Sequence, residues 1–301
     1  MKTHIKHGCI YFILCNMLLI FLSCGNTTYT EEDITELFKP VTSKYNIEIV
    51  YEIDKTFPPI LLGYGTHKQF HKIEPIQKKI LARYPGILTK ALSKYPPDLI
   101  DYYLKAVYFA GAIEESYGLR YAGTYDPFRQ IIYLVNDGSL SDKRTEASFH
   151  HELSSLFLSQ HGFFLNPWFK HNPENFQYRS QKYDRSEDVY APVSLQEPDK
   201  YYKDGFLNSY SQTNFENDFN KYAEMIFMEP EKFRKIMKEY PRVRGKFLVW
   251  LNYYNRLDPI FTEEYLLGEA MEMKEHERIK PEAYIDVGPR NHSEPKTETV
   301  H

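Results

Sequence analysis

The three cysteines, Cys9, Cys15 and Cys24, all fall within the first 24 residues. Everything that folds beyond them has no disulfide, thiol nucleophile or cysteine-based metal site to draw on. That part must be held by an ordinary buried core, and its length suits one substantial core in one or two lobes. Any metal must be held by His, Asp or Glu.

The cysteines sit in a segment with the features of a leader. Lys2 and Lys6 precede the apolar run "CIYFILCNMLLIFLSC", which has signal-peptide length and is shorter than the roughly 20 residues of a membrane span. Ser23 directly before Cys24 fits the processing site of a bacterial lipoprotein, in which that cysteine becomes the acylated first residue, although Phe21 stands where a Leu is usual. The plainer alternatives are an ordinary secretory signal or an uncleaved anchor helix. The expected organisation is a signal peptide over 1–23, lipidated Cys24 with a polar tether over 24–33, one domain over 34–287 and a polar tail over 288–301. The expected location is the cell envelope, lipid-anchored at the outer membrane.

Removing the leader takes Lys2 and Lys6 and no acids, so the formal net charge moves from −4 to −6. There is no basic stripe to neutralise a phosphate backbone, which argues against nucleic acid as a partner. The chain's 26 Tyr and 20 Phe must mostly serve packing.

Hydrophobic spacing gives a coarse outline. Ile34, Leu37 and Phe38 lie at helical spacing, and "NIEIVYEI" reads as a β-branched strand. The stretch from Ile76 to Ile113 suggests helices broken near Pro85 and at Pro96-Pro97. "GLRYAGTYDPFRQIIYLVND" looks like two strands around a turn at Asp126-Pro127. The aromatic segment from Phe163 to Tyr202 has little periodicity, and the helical pattern returns from Phe215 to Leu257.

The chemical signal is "SFHHELSSLF", Ser148 to Phe157, on a helix expected to begin near Ser148. A zinc-protease helix reads H-E-x-x-H: two histidines four apart reach one metal from one helix face, and the Glu acts as base on the metal-bound water. His151 and Glu152 suit the first ligand and the base, but Ser155 stands where the second histidine belongs. His150 cannot replace it, because adjacent helical residues point about 100° apart. His161 stands ten residues after His151, as in a metzincin, but Leu158 replaces the required glycine. Read individually, His150 and His151 are core histidines, Glu152 a helix-surface acid and Tyr210 a packed aromatic.

The "HHE" helix, followed by "GFLNSYSQTNFENDFNKYAEMIF" from Gly205 to Phe227, resembles the zinc-binding metallopeptidase lipoproteins of Gram-negative bacteria, which are gluzincin-like. The resemblance covers roughly residues 126–254. It implies His151 as a zinc ligand, Glu152 as catalytic base and Tyr210 as the group that hydrogen-bonds the oxyanion. The family's third ligand, a glutamate, falls on Asn217, followed by the matching Asp218-Phe219. Two expected ligand positions thus carry Ser155 and Asn217, leaving Glu216 and Glu224 as alternative carboxylates for a metal.

The resemblance implies an α+β, zincin-like domain with a small twisted sheet, an active-site helix and a mostly helical C-terminal lobe. His151 and Glu152 should face the segment carrying Asn217 and Glu224, with Tyr210 close by. Three functions stay open: a zinc metallopeptidase with an altered ligand set, an inactive relative that binds peptide or glycan, and an accessory lipoprotein of a surface nutrient-import system. Catalytic zinc takes three protein ligands, so Ser155 and Asn217 imply lost or weakened metal.

Overall fold

The computed structural model describes residues 28–52, 70–115, 120–179 and 198–268. The leader, Cys24, the tail and residues 180–197 of the aromatic stretch lie outside the described residues.

Helix α1 (Glu31–Tyr45) begins inside the stretch expected to be tether. The cause is a reciprocal cap: Thr30 Oγ1 accepts from the Asp33 amide at 3.1 Å, and Asp33 Oδ2 accepts from the Thr30 amide at 2.8 Å. Ile34 and Phe38 are buried while Leu37 stays 40% exposed, so the apolar face is narrower than the spacing suggests.

Five strands form one sheet among the described residues: β1 (Glu48–Val50), β2 (Phe70–Pro75), β3 (Ala106–Glu115), β4 (Gly123–Asp126) and β5 (Ile131–Val135). The order is β1-β3-β5-β4, with β1, β3 and β5 parallel and β4 antiparallel to β5. β2 runs antiparallel to β3 beyond β1, on the edge of β3 opposite β5. β4 is therefore the terminal strand. The stretch "KAVYFAGAI", grouped with helices from its sequence, is largely β3. Val107 and Phe109 are buried in one cluster with Ile132 and Leu134 of β5, and Ile113 in a second with Ile131 and Val135; full burial of each such side chain contributes about 1.5–3 kcal/mol.

The short helices α2 (Lys78–Leu81), α3 (Tyr84–Leu92) and α4 (Pro97–Tyr103) cover this sheet. Pro85 and Pro97 stand in the first turns of α3 and α4, where a missing N–H costs nothing.

β5 leads into α5 (Asp142–Gln160), which starts almost two turns before Ser148. Gly138 takes the left-handed backbone (φ 104°) that the turn needs, Asn136 Oδ1 accepts from its amide at 2.8 Å, and Ser141 caps the helix.

After α6 (Leu165–Phe169), all regular structure among the described residues is helical: α7 (Pro198–Lys203), a 3₁₀ turn at Tyr210–Gln212, α8 (Phe215–Met228), α9 (Pro230–Glu239), α10 (Pro241–Leu257) and α11 (Glu263–Leu267). Trp250 stacks on Tyr254 at 3.7 Å within this lobe. A buried pair, Lys246 Nζ to Asp218 Oδ2 at 2.6 Å, ties α10 to α8, and Trp168 of α6 donates to the same oxygen at 2.8 Å. The fold class is α+β, with a small mixed sheet. No described helix is long and apolar enough to cross a membrane.

Candidate active site

Helix α5 is polar yet buried from Thr145 to Phe157 except at Ala147. Buried polar groups require partners, and α5 finds them on two sides. Toward α3, Glu146 accepts from Lys90 Nζ at 2.7 Å and Lys94 Nζ at 2.6 Å, while His150 Nδ1 meets the Tyr95 hydroxyl at 2.8 Å. His150 also stacks on Phe227 at 5.0 Å. Burial pushes its pKa down to about 4 against the pull of Glu146. His150 is a core histidine. His161 is exposed just past the end of α5, bonds the Tyr103 hydroxyl on α4 and does not line the cleft.

Toward α8 the helix presents Arg144, Ser148, His151, Glu152 and Ser155, spaced along one face. His151 Nδ1 lies 2.8 Å from Glu224 Oε1. Because a carboxylate only accepts, the bond places the proton on Nδ1. Lys221 Nζ lies 2.7 Å from the same oxygen and 2.8 Å from Oε2. It also stands 5.3 Å from the Tyr210 ring centre, and Tyr210 is 6.1 Å from the His151 ring. Burial would raise the Glu224 carboxyl, but Lys221, the His151 bond and Arg144 together hold it well below the ordinary carboxylate range. Burial lowers the Lys221 ammonium despite Glu224, and the Arg144 charge adds to the lowering.

One turn along, Ser155 Oγ donates to Glu216 Oε1 at 2.6 Å and accepts from Asn220 Nδ2 at 2.6 Å. Glu216 also abuts the Tyr125 hydroxyl, whose pKa is raised by burial and then by the charges of Glu216 and Glu152.

His151, Glu152, Tyr210, Lys221 and Glu224 line a cleft of about 70 Å³, with Arg120 to Gly123 as its opposite wall and Arg144 at its margin. Gly123 of β4 lets the Glu152 side chain approach the strand closely: a Cβ would stand 2.9 Å from Glu152 Oε1 and 3.2 Å from the Tyr133 carbonyl oxygen. A larger open hollow of about 710 Å³ lies beside α6, lined by residues such as Phe169, Phe176 and Arg242. The residues singled out by sequence line the smaller cleft, so chemistry rather than size chooses it.

No family model, curated protein or solved structure matches the chain. The cleft has to be read from its own residues.

Of the residues expected from the sequence, His151, Glu152, Tyr210 and Glu224 come together. Glu216 does not join them, being bonded to Ser155. Asn217 is turned away: its side-chain amide donates to Thr213 Oγ1 at 2.8 Å, within its own helix entry. Glu224 faces Nδ1 of His151 as a hydrogen-bond acceptor, the arrangement that orients an imidazole rather than one that shares a metal with it. Among the described residues no group of three or more His, Cys, Asp or Glu side chains is placed to hold a metal ion. With Ser155 committed to Glu216 and Asn220, these donors do not fit a catalytic zinc.

Lys221, Arg144 and Gly123 were not anticipated. Lys221 had a legible signal, since it lies three residues before Glu224 on an apolar helix and must share its buried face. Arg144 lies seven residues before His151, two turns along the same face. Gly123 carries no local signal beyond being a glycine entering a strand.

Proposed function

We propose that this chain is a catalytically silent, zincin-like relative of the gluzincin-type metallopeptidases, and that its cleft binds peptide without cleaving it. Cys24 anchors it by lipid in the cell envelope, at the outer membrane, where it serves as an accessory protein of a nutrient-import assembly. The observation that carries this reading is the commitment of Ser155 to Glu216 and Asn220 at 2.6 Å each, which removes the donor needed at the second ligand position.

Peptide is favoured by the terminal position of β4 in the sheet and by its place along the cleft. An extended chain can add to such an edge through backbone hydrogen bonds. Tyr210 and Lys221 supply polar groups for a carbonyl oxygen across the cleft from β4. Glycan is disfavoured in this cleft because none of the described aromatics of the Phe163 to Tyr202 segment lines it, Phe169, Phe176 and Tyr178 facing the hollow beside α6 instead. Phe163 contacts Phe215 at 4.8 Å, Trp168 is fully buried, and Phe176 meets Phe206 at 4.5 Å.

The test uses the chain from residue 24 onward with fluorescein-labelled unfolded casein. Anisotropy should report saturable binding while gel analysis shows no cleavage, with or without added zinc. Chelator-sensitive cleavage that disappears in Glu152→Gln would overturn the proposal.

A further inference from the structure

The residues that would attend a catalytic metal in this cleft instead surround an ammonium group. Lys221 Nζ takes both oxygens of Glu224 at 2.7 and 2.8 Å, and the first of these oxygens also holds His151 at 2.8 Å. The Tyr210 ring centre is 5.3 Å away, and Glu152 is near enough for its charge to favour the ammonium form. The Lys221 side chain is only 7% exposed, so its charge is a fixed part of the cleft rather than a solvated surface cation.

We propose that Lys221 is the resident cation of this site, standing in for a metal ion and excluding one. The physical basis is twofold. Glu224 is already neutralised by a covalently attached cation, so an incoming metal would meet the Lys221 charge at short range in a poorly solvated site, where like charges repel strongly. The donors left over, His151 and Glu152, are fewer than the three that zinc requires. Binding a metal would therefore require Lys221 to leave Glu224 and find another place for its charge. An ammonium donates hydrogen bonds but offers no exchangeable coordination position. It suits a carbonyl or carboxylate oxygen and does not turn a bound water into hydroxide.

This inference shares the cleft of the proposed function, yet the two can fail separately. Peptide cleavage by a zinc-free wild type would overturn the binding reading and leave Lys221 as the resident cation. Zinc binding by a wild type that cleaves nothing would do the reverse.

The test is calorimetric titration of Zn²⁺ into the mature chain and into Ser155→His, Ser155→His with Lys221→Gln, and Ser155→His with Lys221→Arg. The Lys221→Gln double variant should bind one zinc at least about tenfold more tightly than Ser155→His alone, the low end of what groups around a metal site produce. The Lys221→Arg variant, which keeps the charge, should not. Equal affinities across the three variants, or no binding in any, would overturn the proposal. If removing Lys221 prevents folding, the ammonium ¹H–¹⁵N signals of the wild-type chain decide the matter. A slowly exchanging lysine signal unchanged by excess Zn²⁺ is expected, and its loss at stoichiometric Zn²⁺ is the contrary result.

Discussion

His151 and Glu224 face each other across the seam between α5 and α8, Nδ1 to Oε1 at 2.8 Å, and that oxygen also holds Lys221. One buried carboxylate thus orients the histidine and neutralises the lysine. Replacing Glu224 by Gln should leave Lys221 buried without its counter-charge and cost about 3–5 kcal/mol in urea unfolding. Glu216→Gln, which retains an acceptor for Ser155, should cost only about 1 kcal/mol. Equal losses from the two variants would mean that the Lys221–Glu224 pair carries no special weight.

The His150 cluster sets an acid limit on stability. Its pKa is lowered from 6.5 to about 4, so between these values the unfolded chain binds a proton that the folded chain refuses. Stability should therefore fall as pH drops through that window, by on the order of 3 kcal/mol for this residue. Glu146, lowered from 4.5 to about 2, extends the loss below the window, because its stabilisation is present above the unfolded value and fades toward the folded one. His171, also lowered by burial, adds to the upper part. His150→Gln should flatten the midpoint-versus-pH curve between pH 6.5 and 4, and an unchanged slope would assign the effect elsewhere.

Gly123 admits the Glu152 carboxylate against β4. Gly123→Val should displace that carboxylate and narrow the cleft, weakening labelled-peptide binding at least about tenfold, a cost of about 1.4 kcal/mol. Far-ultraviolet circular dichroism should stay unchanged. Unaltered peptide affinity would place the ligand away from this wall.

Much of the fold was legible because its signals are local. The turn signal at Asp126-Pro127 separates β4 from β5, and the helix breaks read at Pro85 and Pro96-Pro97 coincide with the entries of α3 and α4. The failures have physical causes. The start of α5 was set two turns late because Ser141 caps it without the acidic partner of a capping box, and β3 was grouped with helices because it is apolar on both faces, with no alternation to read. In the site, His151 and Glu152 were legible from motif spacing, Tyr210 came only through the family resemblance, and Glu224 was legible as a carboxylate two helical turns after Asn217. The separate engagement of Glu216 and Asn217 was not legible, since it depends on which way two side chains turn at the entry to α8. Lys221 was overlooked because a lysine on a helix is ordinarily a solvated cation, and its burial follows only from how α5 and α8 pack.

The anchor rests on sequence alone. Cys24→Ser should move the protein out of the membrane fraction or leave an unprocessed precursor, because acyl chains contribute about 0.8 kcal/mol per buried methylene. A fully processed, membrane-bound Cys24→Ser protein would contradict lipidation.

The most direct test of a metal-free cleft is elemental analysis of the mature chain, purified from zinc-supplemented medium without chelators or a histidine tag. The expected result is a zinc content far below one equivalent, unchanged by His151→Ala. One equivalent of zinc per chain, lost in His151→Ala, would contradict it.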